Sequence, residues 1–403
     1  MPLPPHIRRE FPILATKGLV YLDTAASSQK PEKVISGTPQ FLRNDYSNIH
    51  RGAHFLGERA TEHYEQARKK VADFFGTASP REIVFTKNAT ESINLVARSI
   101  GDWEGFFSEG DRIVLTRAEH HANLIPWFQL AQRKKLQIAY LELDDNRNLV
   151  LDNINELLAP PTKIVSIVHV SNVLGTRFPV EMLCAEAKKR GILTLVDACQ
   201  SAPHFAVNVQ EIGCDFLVAS VHKMYGPSGV GILYGKLDLL RDMPPFLGGG
   251  EMIREVTYEG FLPTEVPHKF EAGTPPIVGV FGTGLAMDFL QEIGMKTLEE
   301  HDRDISHYAR ELLEEIKEIR ILSHKNAIGL TSFTLQNGNN YELSDFLSDR
   351  GICVRVGHHC AEPLHSYIHA PTSVRSSYGI YTTREEILFF ATTLKEGIQK
   401  QKI

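Results

Sequence analysis

Short aliphatic and β-branched runs alternate with stretches of helical spacing from residue 59 to about residue 234. Residues 83–86, 112–116, 163–170, 192–197, 215–220 and 229–234 read as strands, and 59–75, 90–100 and 180–190 repeat their apolar positions at helical spacing. Several strands carry apolar side chains at successive positions, hence on both faces, as strands do when helices cover both sides of a sheet. This alternation predicts an α/β fold with a mostly parallel sheet between layers of helices. The 229–234 run follows its predecessor after only a short polar turn, which marks it as a candidate antiparallel strand.

From about Gly294 the pattern changes. Residues 296–321 carry many charges and an apolar stripe and are predicted as one long helix. A run over 327–335, a helix over 342–350, a run over 352–356 and a final helix from Thr383 follow, which together predict a smaller α/β lobe. The Gly- and Pro-rich stretch 244–276 is the longest piece without a regular pattern. Loops of that length in compact proteins are usually functional or interfacial.

Composition narrows the class of protein. A chain of 403 residues, 42% hydrophobic and 23% charged, is that of a soluble globular protein too long for one small core. Its net charge of −6 offers no basic footprint, so nucleic acid is not an expected partner. No apolar run approaches the roughly 20 residues that span a bilayer, so no membrane partner is expected. The opening residues MPLPPHIRREFPIL have no apolar centre and no small-residue cleavage site, so no export signal is expected. Five scattered cysteines without a CxxC pair point away from a disulfide framework and a cysteine zinc site, and toward a cytoplasmic location.

Five segments carry candidate chemistry. Lys223, in Ser220-Val221-His222-Lys223-Met224-Tyr225-Gly226-Pro227, follows a buried strand, and ligands of open α/β sheets bind at such strand ends. Taken alone it reads better as a surface lysine in a turn. Asp197 ends an apolar run, where a carboxylate is costly to bury without a cation. A pyridinium nitrogen is such a cation, and pyridoxal-phosphate enzymes pair it with Asp so that the ring works as an electron sink. A helix cap is the plainer reading of that Asp. Thr86-Lys87-Asn88-Ala89-Thr90-Glu91 runs from a strand into a helix, whose N-terminus suits a phosphate; Asn88 and Glu91 also resemble an ordinary capping box. His120 and His121 follow another strand without further metal ligands at close spacing, and His120 is preferred as a ring stacked on the cofactor. Arg355-Val356-Gly357-His358-His359-Cys360 sets a cysteine beside imidazoles and a guanidinium, the surroundings of a low-pKa thiolate; a zinc fragment is the weaker reading. Arg375, shortly after, can hold a carboxylate bidentately.

As an ordered set these strings resemble a known family. YLDTAASSQKP, IHRGAH, FTKNATESINLVA, EHHANLIPW, VSNVLGT, LVDACQS, HKMYGPSGVGILYG, LGGGEMI, FEAGTP and RVGHHCAEPL are similar to the fold-type I PLP enzymes of the class V aminotransferase superfamily. Within it they resemble the group II, SUF-type cysteine desulfurases, in which a short interval separates the cysteine from the carboxylate-binding arginine. The resemblance spans nearly the whole chain. It implies a seven-stranded-type sheet in a large PLP-binding domain, 21–291, and a small domain of 1–20 plus 292–403 that carries the cysteine loop.

The resemblance also implies roles. Lys223 would bind the cofactor covalently, Asp197 its ring nitrogen, and Gln200 and Asn172 the ring oxygen and its neighbours. His120 would stack on the ring and move protons. Ala89, Thr90, Ser220 and His222 would border or hold the phosphate, and Thr274 would reach the phosphate of a second subunit, which implies a homodimer. Arg375 would bind the substrate carboxylate with Asn172 and Arg355 nearby, and His50 and Arg51 would border the site. The expected activity converts L-cysteine to L-alanine and leaves a persulfide on Cys360. The expected acceptor is a SufE- or SufU-type protein of iron–sulfur cluster assembly. Selenocysteine lyase or cysteine sulfinate desulfinase activity, or a non-catalytic PLP-binding scaffold, are the alternatives. Val221, Ala89 and Glu362 depart from the residues most frequent in relatives.

Overall fold

The structure, a computed structural model, describes residues 6–401. Residues 1–5, which belong to the stretch read as lacking an export signal and to the 1–20 segment, lie outside the described residues, as do 402–403.

Seven strands form the main sheet, in the spatial order Ile83–Thr86, Gly231–Gly235, Phe216–Ser220, Leu193–Asp197, Thr162–Val168, Arg112–Thr116 and Gln137–Leu141. All neighbours are parallel except Gly231–Gly235, which runs antiparallel to both of its partners. The continuous apolar runs have a simple cause. Val84, Leu195, Val218 and Leu233 enter one core, while their alternate neighbours Phe85, Val196, Leu217 and Ile232 enter another on the opposite face. A pleated strand points successive side chains to opposite faces, so a strand covered on both sides has no polar face to show.

Helices Phe55–Phe75, Ala89–Asp102 and Val180–Lys188 match the predicted helical segments to within a few residues. Among the elements not predicted are the helix Ile125–Lys134 and the strand Ser373–Ser377, and three others show why a pattern is missed. Gln137–Leu141 is an edge strand of mixed burial without a clean apolar pattern. Ile277–Ile293 is a helix buried over much of its surface, so it lacks the polar face that reveals a helical period. Glu32–Asn44 contains Pro39, which disguised it.

Beyond Gly294 the expectation of one helix over 296–321 is corrected. The helix Met295–Glu314 stops, and Ile319–Ile321 is a strand that pairs antiparallel with Leu330–Leu335. Ile316 and Ile319 are buried in a separate core, where Ile319 lies opposite Leu335, so tertiary packing overrides the helical spacing. This second, four-stranded sheet has the order Ile319–Ile321, Leu330–Leu335, Ser373–Ser377 and Arg355–Gly357, antiparallel throughout. The run read over 352–356 is split: Ile352–Cys353 pairs in parallel with Val20–Tyr21, and Arg355–Gly357 joins the four-stranded sheet. The 244–276 stretch holds a short hairpin, Ile253–Val256 with Phe261–Pro263, and one turn of 3-10 helix.

Candidate active site

Five strands of the main sheet deliver side chains to one edge. The segments that leave Ile83–Thr86, Arg112–Thr116, Thr162–Val168, Leu193–Asp197 and Phe216–Ser220 carry Thr90, His120, Asn172, Asp197 and Lys223 in turn. The strands Arg355–Gly357 and Ser373–Ser377 of the second sheet bring Arg355 and Arg375 against them. Together they line a cavity of about 260 Å³. Ala89, Gln200, Ser220, His222 and His359 line it as well. A larger cavity of about 990 Å³ lies elsewhere, bordered by His204, Asp302 and Lys325. It contains none of the residues singled out in the sequence, so chemistry rather than volume chooses the site.

The turn that carries Lys223 is held firmly. Ser28 N–H, Ser28 Oγ and Lys30 Nζ all donate to the His222 carbonyl, at 3.0, 3.0 and 2.8 Å. Tyr225 adopts a left-handed φ of 63°, its N–H donates to Ser28 Oγ, and its buried hydroxyl accepts from Ile380 N–H. Val221, the departure beside His222, is fully buried and packs where Gly226 leaves room; a Cβ on Gly226 would fall 2.5 Å or less from it.

Asp197 is 4% exposed, and its Oδ1 accepts from Cys199 N–H at 2.9 Å. Among the described residues no ion pair to it is formed, so one side of a buried carboxylate faces the cavity without a protein cation. Behind His120, Glu119 is buried and accepts from Thr116 Oγ1, Asn123 Nδ2 and Val168 N–H, and burial pushes its carboxyl up to about 8. Burial, then the charge of Lys223, lowers His120 to about 3. Its Nδ1 accepts from Ala122 N–H at 3.0 Å, so the neutral ring carries its proton on Nε2.

The helix Ala89–Asp102 opens with Asn88 as its cap, whose side chain accepts from Glu91 N–H. The expected capping box takes a different form: Glu91 Oε2 accepts from Lys87 N–H, one residue before the cap. Ser220 Oγ accepts from Ala89 N–H at 3.2 Å, and Thr90 is exposed toward the cavity.

Arg355 and Arg375 face each other across the antiparallel register. Like charges in that position repel unless an anion lies between them. Burial is the largest influence on Arg375 and lowers it to about 10, with Asp23 opposing and Arg355 adding to the effect. Asp23 Oδ1 accepts from Arg375 Nη2 at 3.3 Å, and the Asn172 carbonyl accepts from Nη1 at 3.0 Å. Arg375 Nε and Asn172 Oδ1 are buried and without partners. The sequence reading passed over Asp23. Its signal was a carboxylate directly after the apolar run Val20-Tyr21-Leu22, the same cue that marked Asp197.

Cys360 is half-buried and does not itself line the cavity, although its neighbour His359 does; its Sγ lies 3.6 Å from Nη2 of Arg355, a lining residue. The structure does not bring Thr274, His50 or Arg51 to the cavity lining. Thr274 is exposed, His50 bonds Glu65 at 3.0 Å, and Arg51 pairs with Glu251 at 3.3 Å. Among the described residues, His50, Glu65 and His268 form one group with metal-ligating atoms close together; Glu65 already bonds Arg68 and His50.

The family model for aminotransferase class V matches residues 20–390. The chain belongs to the class V aminotransferase family. Among its relatives, it is 44% identical to a probable cysteine desulfurase of Synechocystis sp., over 98% of this chain and 95% of that one. It is 42% identical to a cysteine desulfurase of Serratia proteamaculans, over 95% of each. The apo structure of a cysteine desulfurase from Thermococcus onnurineus NA1 superposes with a TM-score of 0.94 at 36% identity, and that of the cysteine desulfurase CsdA from Escherichia coli with 0.93 at 34%; each covers 99% of both chains. The predicted fold class of this chain, a mostly parallel seven-stranded sheet between helical layers, therefore holds.

The residues present suit pyridoxal phosphate, the cofactor of this family. The cavity offers an amine on a fixed turn, a buried carboxylate without a cation, a helix N-terminus beside two hydroxyls for a phosphate, and three unpartnered buried polar atoms, on Asn172, His359 and Arg375.

Proposed function

We propose that this protein is a pyridoxal-phosphate-dependent cysteine desulfurase of the SUF type, which converts L-cysteine to L-alanine and leaves the sulfur on Cys360 as a persulfide. The observation that carries this reading is the meeting of two sets of residues at one cavity, Lys223, Asp197 and His120 from the main sheet and Arg355 and Arg375 from the second, with Cys360 held against Arg355 beside it.

Bound through Lys223, pyridoxal phosphate supplies the electron sink that makes the substrate Cβ–Sγ bond cleavable. Asp197 would hold the proton on the ring nitrogen. Thr90, Ser220, His222 and the Ala89 end of its helix would hold the phosphate, and Asn172 and Gln200 the ring oxygen. Arg375, kept in place by Asp23 and the Asn172 carbonyl, receives the substrate carboxylate. Neutral His120 presents Nε2–H toward the cavity and moves protons there. The Arg355 guanidinium lies beside Cys360, with Nη2 3.6 Å from Sγ. The thiolate attacks the substrate sulfur: a Cys360 Sγ–S bond forms, the Cβ–Sγ bond breaks, and its electron pair stays on Cβ. Cβ takes up a proton, and alanine leaves. Exchange with an acceptor thiol then carries the sulfur onward, to a SufE- or SufU-type protein serving iron–sulfur cluster assembly.

The same reading makes the protein a cytoplasmic homodimer divided into 21–291 and 1–20 plus 292–403. Exposed Thr274 and the exposed apolar residues Val256, Tyr258, Phe261 and Leu262 of the hairpin support the dimer. No helix among the described residues is long and apolar enough to cross a membrane.

The test is turnover of L-cysteine by the purified protein with a reductant, with alanine and sulfide both measured. Cys360→Ala keeps the visible absorbance of the bound cofactor and loses alanine formation; Lys223→Ala loses the absorbance as well. A Cys360→Ala variant as active on L-cysteine as the parent overturns the persulfide assignment and moves the reading to selenocysteine or cysteine sulfinate.

A further inference from the structure

His120 and His121 are adjacent, but only His120 lines the cavity. His121 turns to the segment that carries the sulfur. Its main-chain N–H donates to the Cys360 carbonyl at 2.7 Å. Its Nε2 accepts from the Glu362 N–H at 3.1 Å. A ring nitrogen that accepts carries no proton, so the ring is neutral with its hydrogen on Nδ1. One residue of the main-sheet side thus grips the chain on both sides of Ala361. On the other side of the cysteine, Asn172 Nδ2 donates to the His359 carbonyl at 2.7 Å.

The segment between these ties is strained. His359 and Cys360 have φ values of 51° and 56°, in the left-handed region, and neither is glycine. Two consecutive residues with a Cβ stay in that region only where surrounding bonds over-determine them. Within its own lobe the turn is closed by a bond from Ala361 N–H to the His358 carbonyl at 2.8 Å and braced by the His358 Nε2–Pro371 carbonyl bond, the His359 Nε2–Ser373 Oγ bond and the Arg355–Cys360 contact. From across the fold, the ties come from His121 and Asn172.

We propose that His121 is a positioning residue for sulfur transfer: its Nε2 holds the Glu362 N–H so that the left-handed Cys360 turn keeps Sγ aimed at the substrate. The proposal rests on the persulfide role of Cys360. Glu362 takes part through its main-chain N–H, while its exposed side chain is free to vary. The main-chain bond from His121 to Cys360 does not depend on the imidazole, so removing the ring loosens the turn without releasing it.

The experiment compares His121→Ala and His121→Gln with the parent holoenzyme. Glutamine is long enough to offer an oxygen near the position of Nε2. His121→Ala is expected to lower kcat about tenfold, the effect of one lost hydrogen bond, with KM for L-cysteine and the cofactor absorbance unchanged. His121→Gln is expected to recover most of that loss. Independently of turnover, the rate of Cys360 alkylation by iodoacetamide, followed by intact-protein mass, is expected to change in His121→Ala and to return in His121→Gln. Parent-like kcat and alkylation in His121→Ala overturn the proposal, as does a His121→Gln variant as impaired as His121→Ala. Failure of the persulfide reading has a different mark: Cys360→Ala stays active, while the alkylation comparison still reads the turn.

Discussion

At the scale of single residues, the site is a set of charges placed where each would be unstable alone. Asp197 is buried without a cation, Arg355 and Arg375 confront each other, and His120 is buried beside a lysine. On the proposed reading, each conflict would be relieved by a ligand group of opposite kind: a pyridinium, a carboxylate, an uncharged ring face. Arg375→Ala is therefore expected to raise KM for L-cysteine about ten- to a hundredfold, the loss of hydrogen bonds to a charged group, while the cofactor absorbance stays. Steady-state kinetics with a spectrum of the same sample checks this; an unchanged KM removes Arg375 from the carboxylate site. The catalytic residues were legible because they are chemically odd for their surroundings. Asp23 and His121 were not, because their part depends on which atoms they meet across the fold.

At the scale of elements, the strand ends and turns hold the site in shape. Arg68 and Glu271, both buried, form a two-pronged ion pair at 2.7 and 2.8 Å, and Glu271 also accepts from Phe85 N–H at 2.7 Å. This ties the helix Phe55–Phe75 and the first strand to the segment that leads to Thr274. Burial alone would raise Glu271, but Arg68, His268 and the Phe85 N–H hold it at about 2, below an ordinary glutamate at 4.5. A carboxyl lowered by folding contributes stability above its unfolded value and loses it as pH falls toward the folded one. Glu271→Gln should cost about 3–5 kcal/mol at pH 7, with the difference from the parent shrinking between pH 4.5 and pH 2. Urea unfolding at several pH values measures it, and a pH-independent difference contradicts the ion-pair account. Gly231 has a similar duty. A Cβ there would collide with the Asn88 carbonyl carbon, so Gly231→Ala must push back the turn before Ala89. Reduced cofactor retention is expected, together with a destabilisation of about 1–3 kcal/mol, read from absorbance per subunit and thermal unfolding.

At the scale of the whole molecule, the two sheets meet so that each supplies half of the site, and the hairpin in the 244–276 stretch stands out with Tyr258 fully exposed at its turn. In the proposed homodimer a second copy would cover the exposed Val256, Tyr258, Phe261 and Leu262 of this hairpin. The double variant Tyr258→Asp, Phe261→Glu is expected to shift the protein from dimer to monomer in sedimentation and to lower activity, since Thr274 lies in the same stretch. A monomeric parent, or a variant that remains dimeric, counts against this face.

The sequence alone determined the elements whose patterns are local. The buried strands announce themselves because both faces are apolar, and the antiparallel strand 231–235 follows too short a turn to cross over. Motif order determined the family. Tertiary structure alone decided the rest. The helix predicted over 296–321 ended at Glu314 because Ile319 found Leu335 on a neighbouring strand, a pairing that no local period contains. It also decided that Arg355 and Arg375, twenty positions apart, stand opposite each other, and that His121 holds Cys360 from across the fold. Local patterns follow from residues a few positions apart. The site is made largely by contacts between residues tens to hundreds of positions apart, which exist only once the chain has packed.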